Sequence, residues 1–107
     1  MDFSDLQKRA IEISARYDKL NQTKRGITWN EQQIMAGFVS DVGDLSKIIM
    51  AKQGLRNMED ADEKLSHELS DCLWSILVLA NKYNIDLPNE FIKTMNLLDE
   101  RIDKELA

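Results

Sequence analysis

Two short acidic pairs, Asp41-Val42-Gly43-Asp44 and Glu68-Leu69-Ser70-Asp71, are the residues of this chain best suited to chemistry. Each pair has i,i+3 spacing within a stretch that reads as helical, so both carboxylates of a pair lie on one helix face. Four carboxylates converging from two antiparallel helices would form a hard, oxygen-lined site suited to Mg²⁺ or Mn²⁺. The spacing therefore points to a metal centre with Asp41, Asp44, Glu68 and Asp71 as ligands.

Four helices are expected to position these acids. The first runs from about Phe3 to Asn21, with Leu6, Ala10, Ile13, Tyr17 and Leu20 on one face, and breaks at Lys24-Arg25-Gly26-Ile27. Thr28-Trp29-Asn30-Glu31 has the form of a capping box and predicts the start of the second helix. That helix carries Ile34, Phe38, Leu45 and Ile48 and stops at Gly54. Asn57 to Asp62 is polar and reads as a connection and first turn, and the third helix runs on to about Tyr83. Asn84 to Pro88 forms a turn, with Pro88 near the start of a last helix striped by Phe91, Met95, Leu98 and Ile102. No stretch alternates convincingly as a strand. The expected fold is all-α, a single domain over residues 1–107 in an antiparallel four-helix arrangement.

On a helical wheel Asp41 falls on the apolar stripe of the second helix, between Phe38 and Leu45, and Asp44 lies at its edge. An acid there is costly unless it is paired, protonated or bound to a cation. The third helix is apolar nearly all round and so predicts burial on most sides. Its one polar strip holds Glu68, Asp71, Ser75 and Lys82, with Trp74 expected to face away from the acids and Cys72 to lie on the apolar side. The acids also admit a plainer account. With 19 among 107 residues, i,i+3 pairs such as Glu59/Asp62 and Asp60/Glu63 arise by chance and are solvated. Asp41 can equally pair with a lysine, and Glu68 can favour a helix N-terminus.

Composition narrows the partners. A net charge of −5 argues against a nucleic-acid binder, whose phosphate contacts need a basic face. It does not argue against a nucleotide, because a divalent cation supplies positive charge locally. The single Cys72 excludes an internal disulfide. The residues MDFSDLQKRA lack the pattern of a signal peptide. The longest apolar run, Cys72 to Ala80, is interrupted by Ser75 and is too short to cross a bilayer. A cytoplasmic location without membrane contact is expected.

The same motifs resemble those of the MazG-like all-α NTP pyrophosphohydrolases, in which E-x-x-E is followed by E-x-x-D on the next helix. The second half is intact in His67-Glu68-Leu69-Ser70-Asp71-Cys72-Leu73-Trp74. The first is similar in Phe38-Val39-Ser40-Asp41-Val42-Gly43-Asp44-Leu45-Ser46-Lys47, and the turn Asn84-Ile85-Asp86-Leu87 also looks like the family's. The resemblance spans about Leu6 to Leu98. It departs at Asp41 and Asp44, where the family has glutamates. A shorter carboxylate requires closer helices, waters in the coordination shell, or a weaker site.

The resemblance implies Mg²⁺- or Mn²⁺-dependent cleavage of a (deoxy)nucleoside triphosphate to the monophosphate and pyrophosphate, in the role of clearing non-standard or deoxy nucleotides. It makes Glu68 and Asp71 catalytic as well as ligands. It also implies a homodimer or a dimer-of-dimers tetramer that completes the fold. Lys47, one turn beyond Asp44, is a candidate phosphate contact or a solvated surface lysine, and Trp29 a candidate platform for a base or a hydrophobic staple at the helix start. His67 reads as a surface or supporting residue. Two other classes remain: a degenerate relative that binds nucleotide or metal without hydrolysis, and a helical module that binds a protein partner.

Overall fold

The computed structural model describes residues 1–107 and contains four helices and no strands. Helix α1 spans Phe3–Arg25, α2 Glu31–Lys52, α3 Ala61–Lys82 and α4 Leu87–Leu106. Local chemistry explains most of these boundaries. Asp2 and Asp5 form a reciprocal capping box at the start of α1, and Gly26, at φ 68°, ends the helix. The first helix thus continues one turn beyond the expected Asn21, because Gln22 to Arg25 contain no helix breaker. The second helix does not start from Thr28. Its N-cap is Asn30, whose side chain accepts from the Gln33 N–H while Gln33 Oε1 accepts from the Asn30 N–H, both at 2.9 Å. Thr28 instead donates its hydroxyl to Gln22 Oε1 at 3.1 Å.

Helix α2 ends in a Schellman turn, with Leu55 N–H bonded to Met50 O and Gly54 N–H to Ala51 O. The same pattern closes α3, where Asn84 takes the left-handed position and Ile85 N–H reaches Ala80 O at 2.9 Å. Asp86 caps α4 and Pro88 occupies its first turn.

Helices α2 and α3 form the principal pair, and α1 packs on α3 as well. A short connection and an ion pair between Lys52, at the end of α2, and Asp62, at the start of α3, set the antiparallel register. This register brings the middle of α2, with Asp41 and Asp44, against the middle of α3. Trp74 fixes α1: its indole N–H donates to Ala10 O at 3.0 Å, and its ring lies 5.6 Å from that of Tyr17. Helices α1 and α2 both lean on α3 and barely touch each other, which leaves a gap between all three.

The helices do not close into a bundle. Helix α4 buries no residue, and its stripe of Phe91, Met95, Leu98 and Ile102 is exposed. Helix α3 is not buried on most sides either. Leu69, Leu73 and Ile76 lie outward at 51%, 41% and 39% exposure, because no element of the chain covers that face. The radius of gyration is 17.2 Å, against about 13 Å for a compact domain of this length. The accessible surface of 8380 Å² exceeds by about a third the value typical of a folded monomer of this mass. No helix is long and apolar enough to cross a membrane.

Candidate metal centre

The α2–α3 pairing brings three of the four expected acids together. One carboxylate oxygen each from Asp41, Asp44 and Glu68 lies within 4.8 Å of the other two. The shorter aspartates therefore reach the glutamate, since α2 and α3 approach closely. Oxygens around one Mg²⁺ stand about 3–4.2 Å apart, so modest side-chain adjustment closes the trio on an ion. Glu68 adds a sharper observation. Its Oε2 is shut off from solvent and has no hydrogen-bond partner. A buried carboxylate oxygen without a donor is costly, and a hard cation among these acids would satisfy it.

Asp71 stands apart from the trio. Its Oδ2 lies 3.1 Å from His67 Nε2, one turn back on α3, in a pair whose imidazole is 77% exposed. His67 is thus a surface residue that supports an acid of the motif. Asp71 nevertheless stays near enough to act on the cluster electrostatically. Burial pushes the Asp41 carboxyl up, and repulsion from Asp71 and Asp44 adds to this against a smaller opposing pull from His67. Burial likewise raises Glu68, followed by repulsion from Asp41, Asp71 and Asp44, again opposed by His67. Cys72 is buried. Its thiol is pushed up first by burial and then by Asp41, Glu68 and Asp71, which keeps it protonated and inert.

A cavity of about 810 Å³ fills the gap between α1, α2 and α3 and is bordered by Asp41 and Asp71. Trp29, Tyr17 and Trp74 line it, with Ser14, Asp18, Asn21 and Arg25 from α1. Trp29 lies over α2 where Gly37 has no side chain, and a Cβ there would stand 3.2 Å from the indole. Trp74 does not face away from the acids as expected. It stands three residues beyond Asp71 and so shares that flank of α3. A second cleft of about 440 Å³ opens on the other side of the cluster, bordered by Asp44 and Glu68 and lined by Lys47, Lys64, Glu63, Met58 and Ile48. Trp29 and Lys47, the two expected substrate contacts, thus border different cavities.

Lys64 escaped the sequence reading, which put Tyr17 on an apolar face and Trp74 away from the acids. Lys64 carried a usable signal, since it stands one turn before Glu68. An acidic trio with an orphaned oxygen, between an aromatic cavity and a lysine-bearing cleft, can hold a divalent cation and a charged ligand with a flat ring. No family model, curated protein or solved structure matches this chain, so the reading of the site rests on its own side chains.

Proposed function

We propose that this chain is a metal-dependent nucleoside triphosphate pyrophosphohydrolase of the MazG-like kind, cleaving a (deoxy)nucleoside triphosphate to the monophosphate and pyrophosphate. The carrying observation is the trio Asp41, Asp44 and Glu68, with oxygens within 4.8 Å of one another and Glu68 Oε2 unpartnered. These three residues would hold Mg²⁺, or Mn²⁺ in its place. Held there, the ion would supply positive charge against the triphosphate and lower the pKa of water at the site.

The chain's own groups do the rest. Asp71, set off from the trio and held by His67, accepts the proton of the attacking water. The water oxygen bonds to the α-phosphorus, the α–β bridging P–O bond breaks, and pyrophosphate leaves with that electron pair. The base is accommodated by the aromatic cavity beside Asp41 and Asp71. No covalent nucleophile is required, and the protonated, buried Cys72 takes no part.

The active form in this reading is a homodimer or a pair of dimers. The surface in excess of a compact monomer is about 2,200 Å² per chain, within the range that obligate dimers bury. The exposed Leu69, Leu73 and Ile76 with the stripe of α4 supply the apolar faces. The test is pyrophosphate release from a panel of common, deoxy and oxidised nucleoside triphosphates with Mg²⁺ or Mn²⁺ and an EDTA control. Metal-dependent release that Glu68→Gln and Asp71→Asn abolish in folded protein supports the reading. Silence across the panel in folded wild-type protein refutes it and favours a binding protein.

A further inference from the structure

Two cavities meet at the acidic cluster, and their chemistry differs. The larger is bordered by Asp41 and Asp71 and carries three aromatic rings, Trp29, Tyr17 and Trp74. Its arginine gives one guanidinium N–H to a neutral amide, Arg25 Nη1 donating to Asn21 Oδ1 at 2.6 Å, and shares the lining with Asp18, Asp41 and Asp71. The smaller is bordered by Asp44 and Glu68, has no Trp, Tyr or Phe, and holds Lys47 and Lys64. Neither lysine is in an ion pair, whereas Lys52 nearby is tied to Asp62. His67 borders both spaces.

We propose that the cluster divides one elongated nucleotide site, with the base and sugar in the aromatic cavity beside Asp41 and the departing pyrophosphate in the cleft between Lys47 and Lys64. This rests on the hydrolase reading and adds a direction to it. A flat apolar ring is best accommodated where aromatic faces line a cavity. A polyanion is best accommodated where uncommitted ammonium groups stand beside a bound cation. The α-phosphate then falls between the cavities, against the acids, which is where the scissile bond must lie. Glu63 shares the rim of the smaller cleft with Asp44 and Glu68, so the two lysines alone do not make that cleft attractive to pyrophosphate. Its binding there depends on Mg²⁺. Lys47 and Lys64 act in this arrangement as positioning residues for the leaving group, one from α2 and one from α3.

The half-ligands separate the two ends. Inorganic pyrophosphate and the four common deoxynucleoside monophosphates are titrated separately by calorimetry into the full chain with Mg²⁺, with tryptophan fluorescence as a second readout. Lys47→Gln combined with Lys64→Gln weakens pyrophosphate about tenfold or more, the scale of losing charge-assisted hydrogen bonds, and leaves monophosphate affinity unchanged. Trp29→Ala, at a side chain already 43% exposed, does the converse and removes part of the fluorescence response to monophosphate. Losses shared equally by both ligands, no losses, or failure of either half-ligand to bind wild-type protein overturn the orientation. Triphosphate turnover by the same sample tells the failures apart. Turnover with such a result retires the orientation alone, and absence of turnover retires the hydrolase reading as well.

Discussion

Replacing Glu68 by glutamine should strengthen the metal-free protein and weaken the metal-loaded one. Glu68 places a carboxylate oxygen within 4.8 Å of oxygens from Asp41 and Asp44, and its Oε2 lacks any partner. Two like unit charges at 4.8 Å repel by about 0.9 kcal/mol in water and about 3.5 kcal/mol at an effective dielectric of 20. Asp44 is exposed and Asp41 half-buried, so solvent screening holds each repulsion near the lower figure. Relief from two neighbours then stabilises the metal-free protein by about 2 kcal/mol, and the glutamine amide can donate to either aspartate. For a domain of this size that raises Tm by roughly 8 °C.

With the proposed site, Mg²⁺ at a thousandfold excess over its Kd would stabilise wild-type protein by about 4 kcal/mol, and the variant, lacking one ligand, would gain far less. The melting order should therefore invert between EDTA and saturating Mg²⁺, as read by scanning calorimetry. Glu68→Gln melting below wild type in EDTA would mean the carboxylate is already satisfied. An equal Mg²⁺ shift in both proteins would mean the ion binds elsewhere.

The same pair of proteins should diverge with pH. The carboxyls of Asp41 and Glu68 titrate above their ordinary range when folded, so the native state holds more protons than the unfolded chain just above that range. Their contribution to stability therefore falls as pH rises through this window and stays low beyond it. In EDTA the Tm advantage of Glu68→Gln should widen from the ordinary carboxylate range towards neutrality, and a constant gap would contradict the shifts. Gly43→Ala meets open space on α2, so removing a helix-interior glycine should add about 0.5–1 kcal/mol in chemical denaturation; destabilisation would mean another surface covers that face. Leu73→Glu should leave the metal-induced Tm shift intact but convert an oligomer to monomer in sedimentation velocity, and an unchanged sedimentation coefficient would free that face of α3 from assembly.

The helix count was legible in the sequence from periodicity, and i,i+3 spacing put each acidic pair on one helix face; that Asp41 and Asp44 meet Glu68 depends on the register of α2 against α3. Asp71 obeys the same geometry but is drawn aside by His67, four residues earlier, and a helical wheel gives faces rather than rotamers. Trp74 was misplaced for a different reason. A large apolar residue is ordinarily core, whereas here its indole bridges to Ala10 and its ring lines a cavity that exists only because α1 and α2 diverge. Thr28 and Asn30 each head an acceptable capping box, and only the neighbouring Gln22 decides between them by engaging the threonine. Lys64 and Lys47 share a cleft through the register of two helices, which no local pattern encodes.

Helix α4 has a further consequence. It buries no residue of its own chain, and a twenty-residue helix with nothing packed on it is marginal in water. In the oligomer proposed above its folding would be an intermolecular matter, decided by what lies against Phe91, Met95, Leu98 and Ile102. Dilution of that oligomer would then act on the chain as a local denaturant, and its far-ultraviolet circular dichroism would become a gauge of protein concentration.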